Sequence, residues 1–167
     1  MPKARIIGIG SPFGDDVLGF HAIELIERSG LLRCYPPGWI ELRRLDRPGP
    51  ELIEHLQDLD LAVLIDAMHS GATPGSVRVL RPAELDALIK PVSSHGFDLG
   101  ATLRLAHALG ALPRRLHILG IEMAAVPDAD PDRGARGSAP RIDPSLLQAV
   151  DDALSGLTQG GVGRFEA

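Results

Sequence analysis

Arg5-Ile6-Ile7-Gly8-Ile9-Gly10-Ser11-Pro12-Phe13-Gly14-Asp15-Asp16-Val17-Leu18-Gly19 stands near the start of the chain. Its first half is an apolar run with the composition of a buried strand. Its second half is a glycine-rich turn that feeds a helical pattern over residues 16–29, with Val17, Phe20 and Ile23 on one side and Ser29-Gly30 as the stop. A strand, a glycine turn and a helix are how a phosphate loop begins. Here, however, Asp15 and Asp16 stand where the anion would sit.

Further along, residues 61–66 (Leu-Ala-Val-Leu-Ile-Asp) and 116–121 (Leu-His-Ile-Leu-Gly-Ile) also read as strands buried on both faces. Residues 39–45 alternate only in part, as expected nearer a sheet edge. Residues 76–80 follow the turn Ala72-Thr73-Pro74-Gly75, and their closeness to the preceding strand suggests antiparallel pairing with it. Pro50 opens a short helix carrying Leu52, Ile53 and Leu56. Residues 97–109 and 144–156 supply two more helices, the last begun by Asp143-Pro144. The order β-α-β-α-β-β-α-β-α predicts an α/β fold, a three-layer α/β/α sandwich around a mostly parallel, roughly five-stranded sheet with one antiparallel strand.

At 167 residues the chain is expected to form one domain over residues 1–156, with residues 157–167 as a flexible tail. Residues 124–141, rich in Asp, Pro, Arg and Gly, read as a long loop. A net charge of −5 and the near absence of aromatics beside the arginine groups Arg43/Arg44/Arg47 and Arg133/Arg136/Arg141 argue against nucleic acid. The apolar runs fall far short of the roughly 20 residues a membrane span needs. With one cysteine, no disulfide framework and no signal-like start, the expected compartment is the cytoplasm.

A dinucleotide fingerprint needs G-x-G-x-x-G, but Gly8, Gly10 and Gly14 place the third glycine one position late, and Pro12 removes a backbone donor. Two carboxylates there would also repel a pyrophosphate. Asp66 ends an apolar run, and a carboxylate at a buried strand end needs a partner. His95 lies in the loop Val92-Ser93-Ser94-His95-Gly96 before a helix. Singly, each of these residues has a plain structural role as a cap or loop side chain. In an open parallel sheet, ligands gather beyond the carboxyl ends of the strands, where strand order reverses. Two carboxylates and an imidazole converging there form an oxygen and nitrogen set suited to a borderline divalent ion, with coordination positions left open.

With these residues in place, the sequence resembles the hydrogenase maturation endopeptidases, which trim a C-terminal peptide from the large subunit of nickel–iron hydrogenases. The family's opening strand ends in Gly-x-Gly-Asn, followed by an acidic pair and Gly-x-Gly; here Gly8 to Gly19 match, and the metal-contacting carboxylate falls on Asp16. A strand-ending Asp-Ala matches Asp66-Ala67, and a Ser-x-His loop matches Ser93-Ser94-His95. The likeness runs from about residue 4 to 155. It departs at Ser11, where the family has Asn; at Val17, where a glycine is usual; in a loop one residue shorter; and at Leu45-Asp46-Arg47-Pro48-Gly49-Pro50, where the family tends to Asp-Gly-Gly-Thr.

The resemblance implies a metal-dependent endopeptidase, a hydrolase whose catalytic and metal-contacting residues are Asp16, Asp66 and His95. The nickel would arrive in the precursor of the large subunit, with no tightly bound organic cofactor. The enzyme would act as a monomer, without nucleic acid or membrane. Two alternatives remain: a metal- and partner-recognition module that does not cut, and a nucleotide-binding domain. Among the other residues, His69 is a fourth-ligand candidate and Asp46 a rim residue. His21 reads as surface or packing, His55, His107 and His117 as structural, Asp98 as a dipole partner, and Cys34 as a small apolar filler. Ser93-Ser94 lacks a G-x-S-x-G elbow and does not support a serine hydrolase.

Overall fold

The structure, a computed structural model, describes residues 2–11, 17–85, 98–124 and 139–157. Five strands form one sheet: β1 (Ala4–Gly10), β2 (Ile40–Asp46), β3 (Leu61–Met68), β4 (Val77–Leu80) and β5 (Arg115–Glu122). Their spatial order is β2-β1-β3-β5-β4. Every pairing is parallel except β4 with β5. The helices α1 (Leu18–Ser29), α2 (Leu99–Ala108) and α3 (Ser145–Ser155) complete the layers, together with a 3-10 helix at Gly49–His55. Among the described residues no helix is long and apolar enough to cross a membrane.

Strand alternation sorts the core into two halves. Ile6, Val63, Ile65 and Ile121 face α1 and α3, where Leu18, Ile23, Leu146 and Val150 meet them. Ile7, Ile9, Leu64 and Ile118 face the other way, against Leu52 of the 3-10 helix, Leu56 just past its end, and Leu99 and Leu103 of α2. The central strand β3 is buried along its whole length, whereas the edge strand β2 is not, and its arginines point to water. This is the expected three-layer sandwich.

One expectation is overturned. The strand β4 is antiparallel, but its partner is β5 and not the preceding β3. Both edges of β3 are taken, by β1 on one side and β5 on the other. The chain from Met68 therefore passes over β5 to reach the free edge, turning through Gly71 and Gly75, both with positive φ. The short helix expected at Pro50 is present as a 3-10 helix, Gly49–His55. Cys34 is exposed at the end of the turn Leu31–Cys34, so it fills no core gap; that turn links α1 to β2 and buries none of its residues. The tail from residue 158 and loop residues 125–138 lie outside the described residues.

Two glycine contacts set the packing. A side chain on Gly8 would overlap the Gly19 carbonyl, and one on Gly19 would overlap the carbonyl of Ile9 and come within 2.9 Å of that of Ile65. The first turn of α1 therefore rests backbone to backbone on β1 and β3, which only glycine permits. In β5, a Cβ on Gly120 would lie 2.5 Å from the Met68 sulfur, a side chain that fills this gap.

Candidate functional site

The strand order decides where a site forms. From β1 the chain goes to β2 on one side and then returns past β1 to β3 on the other. This reversal opens a crevice beyond the carboxyl ends of β1 and β3. Gly10 ends β1 there, opposite Asp46 of β2, and the Arg47 amide donates to the Gly10 carbonyl at 3.1 Å. Asp46 thus sits on the rim, as expected. Ser11, the next residue of the chain, is buried.

Asp66 stands on the other wall. The ladder between β1 and β3 ends at Gly8 and Ile65, while β3 continues beside β5 through the pairs Asp66–Gly120, Ala67–Ile121 and Met68–Glu122. Asp66 is therefore the first residue of β3 past its ladder with β1. It is only 6% exposed. By alternation it shares the face of Ala62, Leu64 and Met68, the same face that α2 covers. Its Oδ1 accepts the Ala67 amide at 2.8 Å, which fixes the carboxylate against the backbone. A buried carboxylate held this way can supply an anionic oxygen to a divalent ion or act as a general base.

The other two expected site residues, Asp16 and His95, lie outside the described residues. The chain on either side of them is well anchored. Val17 and Leu18 lead into α1 over the Gly8–Gly19 contact, and Leu99 opens α2 in the cluster that holds Ile9 and Met68. Asp98 caps α2, accepting the Ala101 amide at 2.8 Å. Among the described residues no three His, Cys, Asp or Glu side chains are placed to share a metal ion.

Reading the sequence left one carboxylate unnoticed. Glu122 ends β5 at the same sheet edge and is 1% exposed. Its Oε1 accepts the amides of Ser70 and Gly71 at 2.9 Å each, and its Oε2 accepts the Ser70 hydroxyl at 2.7 Å and the Ser70 amide at 3.0 Å. Burial pushes its carboxyl pKa up, but the Ser70 and Gly71 hydrogen bonds outweigh it and the net direction is down. The signal was available: like Asp66, it is a lone acid closing an apolar run. His69 is exposed, with Nδ1 3.9 Å from Glu122.

At the rim, Arg47 has φ 41, a left-handed conformation that a branched or long side chain rarely takes. Its guanidinium donates to Asp46 Oδ1 at 3.0 Å. Nearby, Arg43 pairs with Glu41 and Arg44 with Glu27. Each arginine of this basic group is thus paired with an acid, Glu41 being shared between Arg43 and Arg5. Of the second group, Arg133 and Arg136 lie outside the described residues. His21 and His107 are exposed and His55 is half-buried, its pKa lowered by burial and by Arg5 and Arg43.

Fold and site define an open α/β protein with a buried acid at its switch point. Residues 48–133 match the family model of the hydrogenase maturation protease HycI, a span that contains Asp66 and His95. The chain belongs to the hydrogenase maturation protease family. It is similar to the hydrogenase expression/formation protein HupM of Azotobacter chroococcum, 30% identical over 130 residues, covering 76% of this chain and 60% of that one. It is also similar to HoxM of Azotobacter vinelandii, 29% identical over 164 residues, covering 96% of this chain and 75% of that one. This chain therefore spans about three-fifths to three-quarters of the length of these relatives. Among solved structures it resembles the hydrogenase maturating endopeptidase HybD from E. coli, with TM-score 0.62, 22% identity, and coverage of 96% of this chain and 94% of that one. That likeness is one of fold.

Proposed function

We propose that this chain is an endopeptidase that removes the C-terminal extension of a nickel-loaded precursor of the large subunit of a nickel–iron hydrogenase. One observation carries the reading: in a chain of this family, a buried carboxylate, Asp66, stands just past the β1 ladder on the strand that borders the switch-point crevice. Asp16 and His95 complete a mixed oxygen and nitrogen set, and such a set suits nickel that the substrate brings with it. The ion is cargo of the precursor and not a resident cofactor.

In this reading the chain's own residues bind and orient. Asp66 is held by the Ala67 amide and meets the loaded ion without having to reorganise. Only a filled precursor gains that binding energy, and the scissile bond is fixed near the crevice when it does. Cleavage then reports that loading is complete. The enzyme acts as a monomer in the cytoplasm.

The test is incubation with precursor from the same organism, nickel-loaded and nickel-free, read by mass. Loss of a C-terminal peptide from the loaded form alone is the expected result. Loaded precursor bound and left whole would make the chain a recognition module. Stabilisation by a nucleotide and by no divalent ion would overturn the reading altogether.

A further inference from the structure

We propose that Glu122 is a positioning residue for Asp66: it clamps the projecting end of β3, from which Asp66 faces the crevice. The inference rests on the reading of Asp66 as a site residue.

Beyond Ile65 the strand β3 has lost its ladder with β1, and Asp66, Ala67 and Met68 are paired on the β5 side. A strand end held on one side frays unless something closes it. Glu122 does so from directly opposite Met68. Its carboxylate takes the hydroxyl and the amide of Ser70 and the amide of Gly71, the residues that follow the strand. Its own backbone completes the clamp. The Glu122 amide donates to Ser76 at 2.9 Å, its carbonyl accepts the Gly75 amide at 2.8 Å, and the next amide, Met123, donates to the Met68 carbonyl at 2.9 Å. One residue thus ties the exit of β3 and the approach to β4 to the end of β5. A buried, ionised carboxylate is an expensive way to close a loop. It is apt where the group four residues upstream has to stay within a few tenths of an ångström of its place.

The experiment compares Glu122→Gln with Leu154→Ala, a core truncation near the opposite end of the sheet, at a temperature where both are folded. Glutamine keeps the shape but turns a donor toward donors. In Glu122→Gln, amide exchange in residues 66–71 should quicken about tenfold or more while residues 61–65 keep their protection. On loaded precursor, kcat should fall about tenfold with KM within about threefold, and Leu154→Ala should change neither pattern. Unchanged exchange in 66–71, or a kcat equal to that of Leu154→Ala, overturns the proposal. Should Glu122→Gln fail to fold, Ser70→Ala removes the hydroxyl bond alone and is expected to shift both readouts the same way by a smaller factor. If the wild type cuts no precursor, the assigned activity fails, and the exchange pattern still decides whether Glu122 holds the strand end.

Discussion

The two ends of the sheet are built on different terms. At the amino ends of the strands, charges of opposite sign and backbone bonds lock neighbours together. Lys3 lies over the Trp39 ring at 3.9 Å, and its carbonyl accepts the amides of Asp60 and Leu61. Arg5 reaches Glu41, its partner across the ladder, at 2.7 Å and the His55 carbonyl at 2.6 Å. At the carboxyl ends, by contrast, stand Asp46, Asp66 and Glu122, the backbone contact of Gly8 with Gly19, and Arg47 in a left-handed conformation that costs about 1 kcal/mol. Each acid is held in its own way: Asp46 accepts from Arg47, Asp66 from the Ala67 amide, and Glu122 from Ser70 and Gly71. In the function proposed above, Asp66 alone of these described acids meets the precursor's ion, whereas the amino ends hold their neighbours by an ion pair and backbone bonds.

Asp66→Asn is the severest test of that division. It should cut turnover on loaded precursor by about a hundredfold to a thousandfold while moving Tm little, since the amide keeps the shape and one acceptor. A large fall in Tm with intact turnover would break the comparison. Next, Gly19→Ala should cost about 3 kcal/mol or more in a urea titration, because the new methyl meets the backbone carbonyls of Ile9 and Ile65 and nothing flexible can yield.

Smaller effects are expected at the other end. Arg5→Met should cost about 1–2 kcal/mol of stability by removing a half-buried ion pair and a carbonyl contact, with kcat unchanged. A changed kcat would mean that the two ends are coupled. The mildest case is His117, whose pKa lies below its ordinary 6.5 through burial and then Arg115. The unfolded chain takes up the proton first as pH falls, so stability is full above about 6.5 and declines as pH drops through the lowered value. His117→Leu should flatten that decline, which Tm measured between pH 7.5 and 5 would detect as a shallower slope than the wild type's.

Most of the fold was legible because the strands are apolar runs of a length that suits only a buried sheet. Residues 61–66, read as a strand, became Leu61–Met68, with every residue buried. The partner of β4 was not legible. Closeness in sequence favoured β3, and only the arrival of β5, some forty residues later, decides that edge. The glycines of the opening stretch were legible as a pattern but not in their purpose: Gly8 and Gly19 serve the approach of α1 to β1, a contact between residues eleven positions apart. At the site, Asp66 was found by the argument that a buried acid needs a partner. Glu122 satisfies the same argument, but its partners come from the loop after β3, which no local pattern ties to the end of β5.

The glycine contacts also bear on how such a sequence drifts. At Gly8 and Gly19 the obstacle to a side chain is main chain, which no substitution elsewhere can trim, so both positions are frozen for as long as α1 lies where it does. Gly120 is blocked by side chains only, Met68 and the Leu80 methyl, and trimming Met68 together with a small shift of Leu80 would open a path to alanine. A lineage can cross the second barrier by ordinary side-chain changes, but the first barrier only by rebuilding the fold.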